Sequence, residues 1–199
     1  MTGALDAVDL VKELLAHGAN PNARLNKPLL ARHHNGGDGA LGEGTTPLMR
    51  AAKAGDVSIV RVLLDGGADP MLRQTNYTTA LMIASGVGKT ASFLADRPWS
   101  EADAIEVIKL FLDRGADIDA FNDKGQTSVH GAAALGSNSI VTFLAEHGAR
   151  LTSRDKQGRT PLDVVLAGSR GRPGGSKCTK TPQHSFAAWS ARSKQSRSY

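Results

Sequence analysis

The chain has 199 residues, 40% hydrophobic and 22% charged, which suffices for one folded unit and is too balanced for wholesale disorder. Its net charge of +5 belongs to the tail: seven of the 24 bases follow Asp163, the last acid, which leaves 17 bases against all 19 acids in the body. A single cysteine, Cys178, excludes an intrachain disulfide and a thiolate-based metal site, while the acidic opening "MTGALDAVDLVKEL" and the lack of about eighteen consecutive apolar residues point away from a secretory signal and a bilayer span.

Aromatics make up 5% of the chain, and short runs of alanine, leucine and glycine recur, a composition that suits closely packed thin helices. The first predicted element lies in "LVKELLAHGAN" (10–20), an apolar-striped helix that stops at Gly18, with His17 at the C-terminal position where imidazole suits the helix dipole. A stretch between Arg24 and Thr46 follows, with adjacent His33 and His34. Two histidines fall short of the three or four ligands a metal needs, so a solvated loop is expected.

Thr46-Pro47 opens the next helix, in "TTPLMRAAKAGD" (45–56): the threonine hydroxyl can accept a free backbone N–H, and proline is already at helical φ. Leu48, Ala51 and Ala52 form a narrow stripe that lets neighbouring helices approach, and Gly55 ends the helix. The partner helix "IVRVLLDGGAD" (59–69) shows the wider stripe Ile59, Val60, Leu63 and Leu64, and must be buried.

"TTALMIASGVGK" (78–89) repeats the first-helix phrase and contains "SGVGKTA" (85–91), which has the look of a phosphate-binding loop. The first glycine of such a loop would fall on Ile83, and the residues before it form a helix where the chemistry needs a strand. Gly88 is therefore expected to be a helix stop, and a nucleotide-dependent enzyme using Gly86 to Thr90 is the least favoured reading. An insertion near 89–100 carries Phe93, Leu94 and Trp99, expected to tuck against its own repeat, with an exposed anchor as the alternative. "VIKLFLDRGAD" (107–117), the turn "ADIDAFNDKGQ", "QTSVHGAAALGS" (126–137), "IVTFLAEHGAR" (140–150) and "RTPLDVVLAG" (159–168) repeat the cycle, with His147 placed like His17 and His130 bonded to the turn that opens its helix.

The opening threonines Thr46, Thr79, Thr127 and Thr160 are 33, 48 and 33 residues apart, and the glycines Gly18, Gly67, Gly115 and Gly148 are 49, 48 and 33 apart, so the period is 33 with one insertion near 25–44 and another near 89–100. No single helix pair buries both of its stripes, which predicts an all-α repeat solenoid of stacked helix-turn-helix units joined by β-turn loops. The phrases "TPLMRAA", "TSVHGAA" and "GDVSIVRVLLDGGAD" at this period closely resemble the ankyrin repeat, over roughly residues 6 to 167. Met49, Met82 and Asp163 stand where the family has histidine, and Ala80 and Ser128 where it has proline.

The expected organisation is thus an ankyrin-like array over 1–167 and a basic Gly/Ser-rich tail over 168–199, expected to be disordered, with Phe186 and Trp189 available to cover the last repeat. The array opens with a second helix and closes with a first one, so a piece of a longer polypeptide is expected.

The resemblance implies a non-enzymatic module, without cofactor or metal, that binds another protein in a concave groove. The residues free to vary there are Arg50 and Lys53 on a first helix, and on the turns Arg73, Gln74, Asn76 and Tyr77, then Phe121, Asn122, Lys124 and Gln126, then Arg154, Lys156, Gln157 and Arg159. Tyr77 and Phe121 are the expected anchors, and the bases suit an acidic partner surface. The alternative is an anionic-surface or nucleic-acid binder acting through the tail, disfavoured because the body itself is not basic. Cytoplasmic location is the expectation.

Overall fold

The computed structural model describes residues 6–27, 40–88 and 100–170. Lys89, Thr90, the insertion residues His33, His34, Phe93, Leu94 and Trp99, and the tail residues Cys178, Phe186 and Trp189 lie outside the described residues. Within them run eight helices: α1 (Ala7–Ala16), α2 (Pro47–Ala54), α3 (Val57–Asp65), α4 (Ala80–Ala84), α5 (Glu101–Asp113), α6 (Ser128–Leu135), α7 (Asn138–Glu146) and α8 (Pro161–Arg170).

Their boundaries follow from capping chemistry. The hydroxyls of Thr46 and Thr79 accept the N–H groups of Met49 and Met82, so α2 and α4 begin where the sequence places them. Asp56, Ser100 and Ser137 do the same for α3, α5 and α7, accepting from Ile59, Asp103 and Ile140. Gly55 and Gly136 then end α2 and α6 in the left-handed conformation, at φ 73° and 72°.

Two rows result. The first helices α2, α4, α6 and α8 pack one on the next; the second helices α1, α3, α5 and α7 form a parallel row; and α2–α3, α4–α5 and α6–α7 are hairpins that tie the rows together. One core runs between them, with Leu48, Leu81 and Val129 from the first row meeting Val60, Leu63, Ile108, Phe111, Ile140 and Leu144 from the second. Each such side chain contributes about 1.5–3 kcal/mol on burial, and much of that burial comes from the neighbouring hairpin, so the units stand or fall together.

One hairpin departs from the pattern. α4 ends at Ala84, a turn sooner than α2 or α6, because Gly86 already takes a positive φ of 108°, while Gly88 at φ 77° stands in the register of Gly55 and Gly136. The expectation that Gly88 stops this helix is corrected: α4 has already ended, with Ser85 as its cap, and Gly88 only keeps the left-handed conformation of its counterparts. Ser85 Oγ donates to Leu81 O at 2.9 Å, and the turn presses against α6 so closely that a Cβ on Gly131 would sit 2.6 Å from Val87 N. A helix, not a strand, leads into "SGVG", and Gly86 serves the contact with α6, since a Cβ there would meet the Leu135 side chain.

Candidate interaction surface

The turns ahead of α4, α6 and α8 are built alike. Gln74, Asn122 and Asp155 each lie five residues before the opening threonine; their N–H groups donate to Thr78, Gln126 and Arg159 O at 2.9, 3.1 and 2.9 Å, and each carbonyl accepts a bond from the residue three on. Asn122 Oδ1 also accepts from the N–H groups of Lys124 and Gln126, and Asp155 Oδ1 from those of Gln157 and Arg159. Gln74, longer by a methylene, reaches the preceding turn, donating to Ala40 O at 2.8 Å and Thr45 Oγ1 at 2.7 Å. In its own turn Asn76 Oδ1 takes over, accepting from Thr78 N. These are Asx-type turns closed from inside.

This corrects three expected contact residues. Gln74 and Asn122 are buried turn organisers and do not reach the tips, and Lys53, at 7% exposure, is covered on α2, unlike Arg50 one turn earlier, which is exposed. Ile83, in Arg50's register on α4, is fully buried, so the first helices do not offer a uniformly open groove. Gln126 and Arg159 are half-buried, and Asn76 likewise. Arg73, Tyr77, Phe121, Lys124, Arg154, Lys156 and Gln157 are exposed as expected.

Successive turns are joined backbone to backbone: Thr75 N donates to Glu43 O at 3.0 Å, Asp123 N to Asn76 O at 2.9 Å and Lys156 N to Lys124 O at 2.9 Å. Residues far apart in sequence are thereby held in fixed register on one surface. Tyr77 and Phe121 flank the central bond of this ladder and are 58% and 65% exposed. Tyr77 sits at φ 63°, in the place taken by Gly125 and Gly158 at φ 74° and 75° in the next two turns. A bulky residue held there is strained, and strain of this kind gathers at functional positions.

A third exposed apolar side chain, Met71 at 53%, was not anticipated. Its register supplies the signal: Asn22 and Asp119 occupy the same place in neighbouring units, and their Oδ1 atoms accept Asp69 N at 2.8 Å and Arg150 N at 2.9 Å, tying unit to unit. Methionine has no such acceptor, so the repeat gives up a bond there and presents a polarisable thioether to solvent.

The turns carry charges of both signs. Arg73, Lys124 and Lys156 are exposed and make no ion pair with a described residue, beside the exposed Glu43, Asp69, Asp117 and Asp123, whereas Arg159 is held by Asp155 Oδ2 at 2.8 Å. Burial by itself raises the Asp155 pKa, but hydrogen bonds from the Arg159 guanidinium and from the N–H groups of Arg159 and Gln157 outweigh it and hold the carboxyl below its ordinary value. Asp163 is lowered too, by the N–H and hydroxyl of Thr160, which donate to its Oδ2 at 2.9 and 2.8 Å.

Asp163 thus does for α8 what His130 does for α6. His130 Nδ1 accepts from Thr127 N at 3.2 Å, which leaves the proton on Nε2 to donate to Arg159 O at 3.2 Å across to the next turn. The expected local bond of His130 is present, with a cross-unit bond added. His17 and His147 sit at helix C-termini, their Nδ1 atoms 2.9 and 2.8 Å from the carbonyls of Glu13 and Phe143.

Among the described residues no helix is long and apolar enough to cross a membrane. The sequence matches the family described as Ankyrin repeats (3 copies) over residues 3–104 and 99–172. It is similar to a transient receptor potential cation channel subfamily A member 1 homolog of Caenorhabditis elegans, 30% identical over 61% of this chain and 9% of the channel protein. Likewise it is similar to diacylglycerol kinase zeta of Rattus norvegicus, 34% identical over 63% of this chain and 12% of the kinase. With Ankyrin repeat and SOCS box protein 16 of Mus musculus it shares 32% identity over 64% of this chain and 27% of that protein, so the chain spans a minor part of each relative's length.

Proposed function

The chain belongs to the ankyrin repeat family, and from that premise we propose that it is a non-enzymatic module that binds a partner protein through the tips of its turns. The observation that carries this reading is the inter-turn bond between Asp123 and Asn76, which places two strongly exposed aromatics, Tyr77 and Phe121, on one rigid surface. Aromatic anchors concentrate binding energy, and holding them rigid beforehand removes an ordering cost. Met71 extends the apolar part. The exposed Arg73, Lys124, Arg154 and Lys156 lie on the same series of turns, with Asp123 among them, and in this reading they meet acidic groups of the partner, acting chiefly on association rate and selectivity.

The relatives are consistent with this use: proteins named as a channel, a kinase and a SOCS box protein share a region of this kind as a fraction of their length. A cytoplasmic location belongs to the same proposal, since the single Cys178 suits a reducing compartment.

The test is a capture experiment with the chain, with the Tyr77→Ala, Phe121→Ala double variant and with the chain truncated after Ala167. Capture of the same protein by the chain and the truncation, and its loss with the double variant, supports the turn tips. Capture by the double variant undiminished refutes them. A binding activity that vanishes on truncation and falls steeply with salt would instead assign function to the tail.

A further inference from the structure

The joint between the turns that follow α3 and α5 lacks a bond that its neighbours have. Asn22 Oδ1 accepts Asp69 N at 2.8 Å and Asp119 Oδ1 accepts Arg150 N at 2.9 Å, whereas the N–H in the same register between them, that of Asp117, meets no acceptor among the described residues. In the acceptor's place stands Met71, whose thioether is a weak acceptor at best. Yet the two groups are already close. A Cβ on Gly115, two residues before Asp117, would lie 3.5 Å from Met71 Cε, and Met71 and Asp117 line one cavity of about 40 Å³ together with Arg73, Thr79 and Ala120.

Met71 also differs from the other described methionines in what can reach it. Met49 and Met82 are 1% and 0% exposed, and the Met82 sulfur already accepts Thr79 N at 3.5 Å; Met71 is 53% exposed. An oxidant must reach a sulfur lone pair, so access singles out Met71.

We propose that Met71 is a modification site for hydroperoxides, and that the oxygen it gains accepts the Asp117 N–H and completes the joint. A sulfur lone pair attacks one peroxide oxygen, and the S–O bond forms as the O–O bond breaks. The other oxygen takes up the proton of the attacked one and leaves as water, or as an alcohol from an organic hydroperoxide. Sulfur is oxidised by two electrons and the peroxide is reduced by them. The added oxygen stands four bonds from Cα, one more than Oδ1 of Asn22, and the cavity has room for it, since about 10–15 Å³ already holds a water. Methionine oxidation disrupts a structure when it puts a polar group into a core. At Met71 the sulfur lies outside the core and the new oxygen meets a donor that lacks a partner, so the sign is reversed. Reduction by two thiols, which leave as a disulfide while the oxygen leaves as water, opens the joint again. Closing of this joint is independent of whether the turn tips bind a partner.

The full chain treated with dilute hydrogen peroxide tests this, followed by peptide mapping, amide exchange and urea unfolding. Met71 should gain an oxygen while Met49 and Met82 stay reduced. The Asp117 amide should then exchange about fivefold more slowly in at least one sulfoxide epimer, the factor carried by a bond of about 1 kcal/mol. The urea midpoint should rise, and return when a methionine sulfoxide reductase removes the oxygen. Met71→Gln, whose Oε1 is also four bonds from Cα, should show the slowed amide and the raised midpoint without peroxide, and Met71→Leu should not respond to peroxide. Oxidation of Met49 or Met82 as fast as Met71 in the folded chain overturns the proposal. So does an Asp117 amide that exchanges no more slowly after oxidation, a midpoint that stays or falls, or a rise that occurs in Met71→Leu as well.

Discussion

Tyr77→Gly should make the protein more stable while weakening its grip on a partner. Tyr77 occupies a left-handed turn position at φ 63° where the matching residues are Gly125 and Gly158. For a side chain bearing a Cβ that conformation costs about 1–2 kcal/mol, and glycine's greater freedom in the unfolded chain returns about 0.5–1 kcal/mol of that. The expected net gain is about 0.5–1 kcal/mol, small in packing terms because the ring is 58% exposed and little burial is lost. For a protein of this size that is a rise of about 1–4 °C in Tm, best read as a shift of the urea midpoint at constant slope. Tyr77→Ala is the control: it removes the ring but keeps the strain, so its stability should stay at or slightly below that of the unaltered chain. Should glycine prove no more stable than alanine at this position, the strain argument is wrong. Both variants should bind the captured partner more weakly, as expected if strain is retained for contact.

Three further expectations concern the joints between units. Gly131→Ala would bring a Cβ to 2.6 Å from Val87 N, a backbone atom with little room to yield, and should cost about 1–3 kcal/mol by urea unfolding. Met71→Asn restores the side chain that Asn22 uses to accept Asp69 N, here offered to Asp117 N, and should add about 1 kcal/mol of stability. Asp155 and Asp163 both titrate below their ordinary value in the folded state, so their contribution is present above about pH 4 and is lost as pH falls through the lowered values. Thermal melts between pH 7 and pH 3 should show that decline, and Asp155→Asn, which keeps the pattern seen at Asn122 but gives up the Arg159 pair, should begin lower at pH 7 and decline less.

The array was legible because a repeat writes its core several times over: Leu48, Leu81 and Val129 are one position seen three times, and the threonine caps mark its phase. The tips were legible as a region, but the separation of buried from exposed residues within them was not made, although the signal was present. Gln74, Asn122 and Asp155 recur five residues before each opening threonine, and a polar residue in strict register is a structural part. What the sequence could not show was long-range. The early end of α4 goes with the close contact between the turn after it and Gly131, beyond the insertion in sequence, and Ile83 is fully buried where Arg50 in the same register is exposed; no local pattern encodes either. Tyr77 stands in the register of Gly125 and Gly158, but that the turn keeps its left-handed form regardless is a tertiary fact, imposed by the ladder on either side.

That ladder is the central claim, since a surface assembled from separate turns can act as one only if they are locked together. Amide hydrogen exchange at Thr75, Asp123 and Lys156 reads it directly. If each N–H is held by the turn before it, all three should exchange as slowly as amides in the neighbouring helices. Exchange of these three at the rate of an open loop, beside protected helices, would mean that the tips move independently and share no surface.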